Sequence, residues 1–343
     1  MFEPKFIITS KILANIKRIA EITSGLNNRR FPKVVLLELA KRARALSSHS
    51  STSIEGNPLP LTEVKKILKN RPEHIRDTER EVLNYNQALI ELDKKIKFGA
   101  TFDLTLLLQI QKTVTNGLIA DFNSGKIRRA SVFVNDPRKR QTVYWPPDHQ
   151  DVHNLIKDLL DFIKKNRGKT DPLILAGIFH KQFVTIHPFI DGNGRTARLA
   201  TKFLLAEMGI NTFNLFSFEN YYNENVEKYF AGVGELGNYY DLKGKMDFSS
   251  WLEYFTDGII DELLRVSGEL EKMAVPATEE LKDYHNKLLD FIMTRGRITD
   301  SDYVKLTSRA KATRIKDFKK LLDLKLIERH GQGRATFYKL KEK

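Results

Sequence analysis

The chain contains no cysteine, which excludes disulfide bonds, cysteine nucleophiles and metal sites built from thiolates. It also has no uninterrupted apolar run near the ~20 residues that a transmembrane helix needs. The N-terminal stretch MFEPKFIITSKILANIKRIAEI is interrupted by charges at helical spacing and has no small-residue cleavage site of the kind found in secretion signals. We therefore expect a soluble, cytoplasmic protein.

Positive charge is present in excess and is unevenly distributed. The 343 residues carry a formal net charge of +14. Leu281 to Lys343 contribute 17 Lys and Arg against 8 Asp and Glu, a difference of +9. A locally basic region of this kind favours a polyanionic partner, although a need for solubility would also explain it.

Hydrophobic periodicity predicts a mainly α-helical protein. Helical spacing runs through the first ~100 residues and recurs in DVHNLIKDLLDFIKKN, DPLILAGIFHKQFVTI and RTARLATKFLLAEMG. The clear strand signal before the basic region is SVFVNDPRKRQTVYW, where two β-rich runs flank a turn at Asn135, Asp136 and Pro137. The stretch AVPATEE is typical of an interdomain linker.

Between two predicted helices lies HPFIDGNGRTAR, from His187 to Arg198, and its GNGR part opens the second helix. Free N–H groups at a helix start bind anions, and the two glycines let the backbone approach a phosphate closely. Arg195 and Arg198 can hold further phosphate oxygens, and Asp191 offers a hard oxygen ligand to Mg²⁺. His187 can accept a proton near neutral pH. This combination suits phosphoryl or nucleotidyl transfer, whereas a glycine-rich turn with surface arginines would explain GNG alone.

The same stretch matches every specified position of HPFx[D/E]GN[G/K]RxxR and so resembles the signature of Fic-domain proteins. The resemblance extends from roughly Phe102 to Tyr240. It implies a helical Fic core with a β-hairpin flap. It also implies transfer of AMP from ATP to a Ser, Thr or Tyr hydroxyl of a target protein. Gly194 stands where lysine marks the kinase-like toxin branch of that family, which favours nucleotidyl transfer.

The resemblance also implies roles for single residues. His187 would deprotonate the target hydroxyl, and Asp191 would bind Mg²⁺. Gly192, Asn193 and Gly194 would contact the α-phosphate of ATP. Arg195 and Arg198 would contact its β- and γ-phosphates.

Two further regions are assigned by the resemblance. Tyr229 and Phe230 in EKYFAGV stand where relatives carry paired tyrosines against adenine, and Asn238 is also expected near the nucleotide. Core packing is the alternative for these residues. The flap, about residues 132–144 and including Val134 and Asn135, would pair its backbone with an extended target segment, unless it is a purely structural hairpin.

An inhibitory motif is predicted upstream, where STSIEG matches the family pattern [S/T]xxxE[G/N] at Ser51, Glu55 and Gly56. Ser51 and Glu55 are one helical turn apart, and Gly56 ends the turn. Glu55 would pair with Arg198 and so misplace ATP. An ordinary helix end is the alternative interpretation.

The basic region resembles a winged helix-turn-helix domain, with three helices followed by two short strands around Gly331 to Gly333. Its third helix would carry Arg309, Lys311 and Arg314 to DNA, and Arg334 on the wing would reach phosphate. Winged helices also mediate protein contacts, which leaves a protein partner open. We therefore expect residues 1–101 as an N-terminal helical region, 102–240 as the Fic core, 241–277 as a helical extension and linker, and 278–343 as the winged helix.

Two other functions use the same residues. A DNA-binding regulator would employ the Fic core only to sense nucleotide, although such a sensor has no need of His187. Water in place of the target hydroxyl would instead remove AMP from a modified protein. His180 is interpreted as a packing residue, because no further histidine or carboxylate completes a metal site beside it. A homodimer is left open by the sequence.

Overall fold

The computed structural model describes residues 2–29, 31, 33–136, 141–210, 215–273, 281–324 and 326–341. Pro137 of the expected hairpin turn and the expected linker stretch 274–280 lie outside these residues. The chain divides into two compact units, the first of Met1–Arg29 with Leu39–Glu269 and the second of Arg30–Glu38 with Leu270–Lys343. The predicted mainly α fold is confirmed.

The helices of the N-terminal and central regions are α1 Ser10–Asn27, α2 Lys33–Ile54, α3 Leu61–Lys69, α4 Asp77–Lys97, α5 Leu104–Val114, α6 His149–Asn166, α7 Pro172–Ile186, α8 Asn193–Glu207, α9 Glu219–Glu224, α10 Val226–Val233, α11 Tyr239–Leu242 and α12 Ser249–Met273. The strands are β1 Val134–Asp136, β2 Gln141–Trp145 and β3 Gly237–Asn238.

Helix α7 is the core of the first unit. Asp171 caps its start by accepting a hydrogen bond from the Leu173 N–H at 2.8 Å, and Pro172 occupies the first turn. The sequence PLILAGIFHKQFVTI is apolar on nearly every side, which is typical of a helix surrounded by protein. α7 accordingly packs against α6, α8 and α10 and is buried along almost its whole length.

The three strands form one small sheet in the order β1-β2-β3. β1 and β2 are antiparallel, with Val134 opposite Tyr144 and an irregularity between Val134 and Asn135. β3 adds in parallel to β2, with Asn238 opposite Trp145. β1 therefore forms one edge of the sheet, and its outer N–H and C=O groups are available to another strand.

The second unit contains α13 Asp283–Arg295, α14 Asp300–Leu306, α15 Lys311–Asp323, β4 Ile327–His330 and β5 Phe337–Leu340. β4 and β5 are antiparallel, and Ile298 makes an additional bridge to Tyr338. The core combines side chains of all three helices and β4, namely Leu288, Leu289, Ile292, Ile298, Tyr303, Phe318, Leu321 and Ile327. None of the helices in the described residues has the length and apolar character that a membrane crossing requires.

A glycine controls the approach of α12 to α7. Trp251 donates its indole N–H to the Gly177 carbonyl at 2.8 Å. A Cβ at Gly177 would lie 2.6 Å from Leu252 Cδ2 and 3.2 Å from Phe255 Cδ1, closer than side chains pack. Gly177 is thus required by the packing of the two helices.

We expect Gly177→Ala to lower the free energy of unfolding by about 1–3 kcal/mol, because the added methyl overpacks this contact. Gly268→Ala is the matched control, since Gly268 likewise lies inside a long helix, α12, and its added Cβ would meet nothing within 4 Å. The control should raise stability by up to ~1 kcal/mol through helix propensity alone. Urea unfolding followed by fluorescence of the 2 tryptophans measures both, and equal stabilities of the two variants would contradict the argument.

Candidate functional site

His187 ends α7 in a left-handed backbone conformation, with φ of 52°. It is the one non-glycine residue of the described chain with positive φ. Its Nδ1–H donates to the Val184 carbonyl at 3.2 Å, because a carbonyl oxygen can only accept. Nε2 is therefore left as a proton acceptor. Burial lowers the pKa of His187 to about 4, so the ring is neutral at neutral pH and can act as a base.

The start of α8 forms an anion site. Gly192, with φ of 80°, precedes the helix and provides no side-chain cap, so the first N–H groups of α8 have no acceptor within the helix. A Cβ on Gly192 would lie 2.8 Å from Thr115 Cγ2, which explains why glycine is needed there. These N–H groups and the positive end of the helix dipole together favour a phosphate.

Asp191 and Arg195 form an ion pair at the same end of α8. Arg195 Nη2 donates to Asp191 Oδ2 at 2.7 Å. Arg195 is buried, and its Nε and Nη1 have no hydrogen-bond partner within the described residues, although Glu81 Oε1 lies 3.7 Å from Nη1. Two buried guanidinium N–H groups without acceptors are what an incoming phosphate oxygen would satisfy.

Arg198 is completely buried, and every nitrogen of its guanidinium has a partner. Nε donates to Ser51 Oγ at 2.8 Å, and Nη2 donates to the Ser51 carbonyl at 2.9 Å and to Glu55 Oε1 at 2.7 Å. Nη1 lies 3.4 Å from the Tyr229 hydroxyl. The structure thus brings Ser51 and Glu55 onto the arginine 143 residues or more away in sequence.

Glu55 also covers the backbone at the start of α8. α2 ends at Ile54, and Gly56 follows with φ of 96°, so the chain turns directly after Glu55. A Cβ at Gly194 would clash with Glu55 Oε1 and would lie 3.0 Å from Arg198 Nη1. The Glu55 carboxylate therefore lies over Gly194, in the first turn of α8.

Two buried side chains that the sequence did not single out hold the loop of His187 and Asp191. Arg128 donates through Nε to the His187 carbonyl at 2.8 Å, and its other nitrogens donate to the carbonyls of Ala130 and Pro147. Gln111 donates to the Asp191 carbonyl at 3.2 Å. Neither residue belongs to a recognisable spacing pattern, so only its burial in the structure identifies it.

The contact of Tyr229 with adenine stays a prediction, and the burial of Tyr229 favours the alternative of core packing. Tyr229 is buried, stacks on Tyr222 with ring centroids 4.5 Å apart, and its hydroxyl lies 3.1 Å from His180 Nε2. Its neighbour Phe230 is 47% exposed and remains accessible to a base. His180 is itself buried among aromatic rings and bonds to Thr201 Oγ1 at 3.0 Å.

The side chains of Asn193 and Asn238, both expected near the nucleotide, make hydrogen bonds within the protein. Asn193 is buried, and both ends of its amide bond to the backbone of Phe189, each at 2.9 Å. Its side chain braces the loop, which leaves the backbone as its contribution to a phosphate. Asn238 is exposed and caps α11 by accepting from the Tyr240 N–H at 2.9 Å.

The predicted flap residues lie on the edge strand of the small sheet. Thr142 Oγ1 donates to Asn135 Oδ1 at 2.9 Å across β1 and β2, and Val134 pairs with Tyr144. The hydroxyl of Tyr144 donates to the Thr185 carbonyl at 2.8 Å, two residues before His187. The sheet is thereby attached to the end of α7 that carries the base.

In the second unit, the structure does not leave the predicted arginines free for DNA. Arg309 precedes α15, pairs with Asp317 at 2.8 Å and stacks on Tyr284 with 3.6 Å to the ring centroid. Arg314 is buried and makes two bonds of 2.8 Å to Asp300. Lys311 is exposed as expected. The side chain of Arg334 lies outside the described part of the chain.

The donor set suits Mg²⁺ that is bound mainly by phosphate. The described residues contain no group of three or more histidine, aspartate or glutamate side chains that would enclose a metal. Asp191 offers one carboxylate whose side chain is 47% exposed. Mg²⁺ in nucleotide sites takes one or two carboxylates, and phosphates and water complete its octahedron. Asp191 fits that role.

Residues 101–205 match the Fic/DOC family, which confirms the resemblance seen in HPFIDGNGRTAR. The protein adenylyltransferase Fic of Drosophila willistoni is 26% identical over 219 residues, covering 58% of this chain and 42% of that protein. The protein of the same name from Drosophila melanogaster is also 26% identical, with 43% of its length covered. The chain thus spans less than half the length of these curated relatives.

Solved structures share the fold. A Fic family protein from Desulfovibrio desulfuricans G20 has a TM-score of 0.64 at 20% identity, covering 100% of this chain and 99% of its own. Fic-1 from C. elegans has a TM-score of 0.60 at 20% identity, covering 77% of this chain and 74% of its own. These likenesses establish the helical architecture around the site.

We expect the imidazole of His187 to titrate with a midpoint of about 4, well below its ordinary value of 6.5, because burial disfavours the charged ring. Proton NMR of the histidine rings measures the midpoint, with the resonance assigned by its loss in His187→Ala. The Glu55 carboxylate raises the pKa of His187, so Glu55→Gly should move the midpoint lower still. A midpoint near 6.5 would contradict the burial argument.

Proposed function

We propose, since residues 101–205 form a Fic domain, that the chain is a protein adenylyltransferase that transfers AMP from ATP to a Ser, Thr or Tyr hydroxyl of a target protein. The observation that carries the proposal is the juxtaposition of a neutral histidine base with an anion site at the start of α8. A base beside a phosphate site is the arrangement that activates a hydroxyl for attack on phosphorus.

In the proposed reaction, His187 Nε2 accepts the proton of the target hydroxyl. The hydroxyl oxygen then forms a bond to the α-phosphorus of ATP, and the bond from that phosphorus to the bridging oxygen breaks. Pyrophosphate leaves with the negative charge, and the target carries AMP as a phosphodiester. Because the pKa of His187 is about 4, the base is already unprotonated at neutral pH, but it is a weak base.

The remaining residues of the site would hold the nucleotide. The N–H groups at the start of α8 would contact phosphate oxygens, and Arg195 would turn its unpaired Nε and Nη1 to the same anion. Asp191, released from Arg195, would hold Mg²⁺, which when bound offsets phosphate charge. β1 would pair with an extended segment of the target, since it is an edge strand attached to the end of α7.

We further propose that Glu55 inhibits the enzyme. Its carboxylate accepts a hydrogen bond from Arg198 Nη2 at 2.7 Å and lies over Gly194, where a phosphate would otherwise bind. A phosphate and a carboxylate cannot both fill the space over this turn of α8, and two anions side by side would repel each other. ATP would therefore bind in a strained position until Glu55 moves away.

We expect Glu55→Gly to raise AMP transfer by about 10- to 100-fold, because it removes one charge-assisted contact that competes with phosphate. His187→Ala in the same variant should lower transfer by about 10²- to 10⁴-fold through loss of the base. Transfer of label from α-labelled ATP, with Mg²⁺, to the chain itself and to lysate proteins is the measurement.

An absence of label in every variant, with ATP still bound, would favour a nucleotide-sensing regulator over an enzyme. Loss of label from a previously modified target on adding wild-type protein would instead indicate AMP removal at the same site. The His187→Ala protein is the control for both outcomes, since it keeps Arg195 and Arg198.

A second function, binding of double-stranded DNA, is proposed for the second unit, on a surface that keeps Lys311 of the predicted contacts but not the arginines. Lys311, Lys316 and Lys319 are exposed along α15, together with Ile315, which is 56% exposed. We call these three lysines the α15 lysine face. Because Arg309 and Arg314 are held by Asp317 and Asp300, the free cations of α15 are these lysines. Lysines at one helical face suit phosphate contacts.

We expect Lys316→Ala combined with Lys319→Ala to weaken DNA binding and to reduce the slope of log affinity against log salt by about two. Lys282→Ala combined with Lys287→Ala removes the same charge from exposed positions on and just before α13, and should change the slope less. Fluorescence anisotropy of a labelled duplex at several salt concentrations gives both slopes. Equal effects of the two double variants would count against the α15 lysine face.

A further inference from the structure

The face that α2 buries near the site is polar. Beside the buried Ile54 it carries five hydroxyl residues with at most 1% exposure, namely Ser47, Ser48, Ser50, Ser51 and Thr52. All of them except Ser48 have a hydrogen-bond partner for the side chain within the described residues. Buried hydroxyls are stabilising only when they are hydrogen-bonded, and they contribute little hydrophobic free energy. The position of α2 in this part of the chain therefore depends on which polar groups form hydrogen bonds with these hydroxyls.

Buried hydrogen bonds hold a carboxylate and the end of α2 near the site. Tyr85 donates to Glu219 Oε1 at 2.9 Å, since a carboxylate can only accept. The Ser47 hydroxyl is also within hydrogen-bond distance of Glu219. We call Ser47, Tyr85 and Glu219 the buried relay. Arg198 Nε donates to Ser51 Oγ at 2.8 Å, which is a first connection between α2 and the polar groups beside it.

Glu219 makes a second connection to the same helix, one turn earlier. Its Oε2 lies 3.2 Å from Ser47 Oγ, and Lys202 Nζ lies 3.2 Å from Ser47 Oγ and 3.8 Å from Glu219 Oε1. Ser47 and Ser51 are four residues apart on α2, and Arg198 and Lys202 are four residues apart on α8. The two helices thus match in register at two successive turns.

We propose that Glu219 is a positioning residue that fixes the register of α2 on α8 and so holds Glu55 against Arg198. Glu219 is 0% exposed, and its contact with α2 is through the Ser47 hydroxyl, so it acts on Glu55 through the position of that helix. The inference rests on the proposed inhibition by Glu55. It adds that inhibition by Glu55 also depends on the buried carboxylate of Glu219 on α9.

Tyr85→Phe tests the buried relay with the smallest change, because it removes only the hydroxyl that donates to Glu219. Tyr222→Phe is the matched control: Tyr222 is equally buried, and its hydroxyl has no hydrogen-bond partner in the described residues. We expect Tyr85→Phe to raise AMP transfer by roughly tenfold, as expected for loss of a hydrogen bond to a charged acceptor. Tyr222→Phe should leave transfer unchanged.

The Glu55→Gly background separates positioning from a general loosening of the structure. When Glu55 is already absent, Tyr85→Phe should give no further rise in transfer, because no inhibitory contact remains to be weakened. Affinity for ATP, measured by calorimetry on the full chain, should rise in Tyr85→Phe and in Ser47→Ala when Glu55 is present. This second readout does not require transfer to occur.

Each outcome decides one question. Equal increases from Tyr85→Phe and Tyr222→Phe, or an increase that persists in Glu55→Gly, would overturn the positioning role. A rise in transfer with Glu55→Gly but none with Tyr85→Phe would also overturn it and leave the proposed function standing. No transfer in any variant would instead refute the proposed function, and the ATP affinities of Tyr85→Phe and Tyr222→Phe would still test the relay.

Discussion

The burial of the Arg198 guanidinium is the constraint on which the site depends. A charged group at 0% exposure is strongly destabilising unless every N–H finds an acceptor. The acceptors come from Ser51 and Glu55 at the end of α2 and from Tyr229 on α10. One cation therefore ties together three helices that are distant in sequence. Removing any acceptor changes the position of the arginine and of the helix that carries the acceptor.

The two arginines of the site are paired with carboxylates of the same chain. Asp191 pairs with Arg195, and Glu55 pairs with Arg198, so each cation suited to a phosphate already holds a carboxylate. The two ion pairs differ in how much of the chain must move to release the arginine. Asp191 lies in the loop just before α8, four residues from Arg195, and can exchange its partner for a metal ion locally. Glu55 belongs to α2, so its replacement by phosphate requires movement of a separate segment of the chain.

The sequence was sufficient for the parts of the site that are local. The helix ends at His187 and Gly192, the free N–H groups of α8 and the flap hairpin follow from residue spacing and turn chemistry. It was insufficient where a side chain has a distant partner. The carboxylates that hold Arg309 and Arg314 are 8 and 14 residues away, and the residues that surround Tyr229 come from other helices. Periodicity identifies a buried face but not which polar atom on that face is occupied.

The left-handed conformation of His187 shows how the base and the flap are linked. A non-glycine residue in this region is disfavoured by about 1–2 kcal/mol, so surrounding contacts must hold it. Arg128 does so by donating to the His187 carbonyl, and its other nitrogens donate to Ala130 and Pro147. Those two carbonyls lie just before β1 and just after β2. Arg128 thus connects His187 to both ends of the hairpin, and the Tyr144 hydroxyl adds a second connection through Thr185. Together these two side chains set the distance from the edge strand β1 to the imidazole.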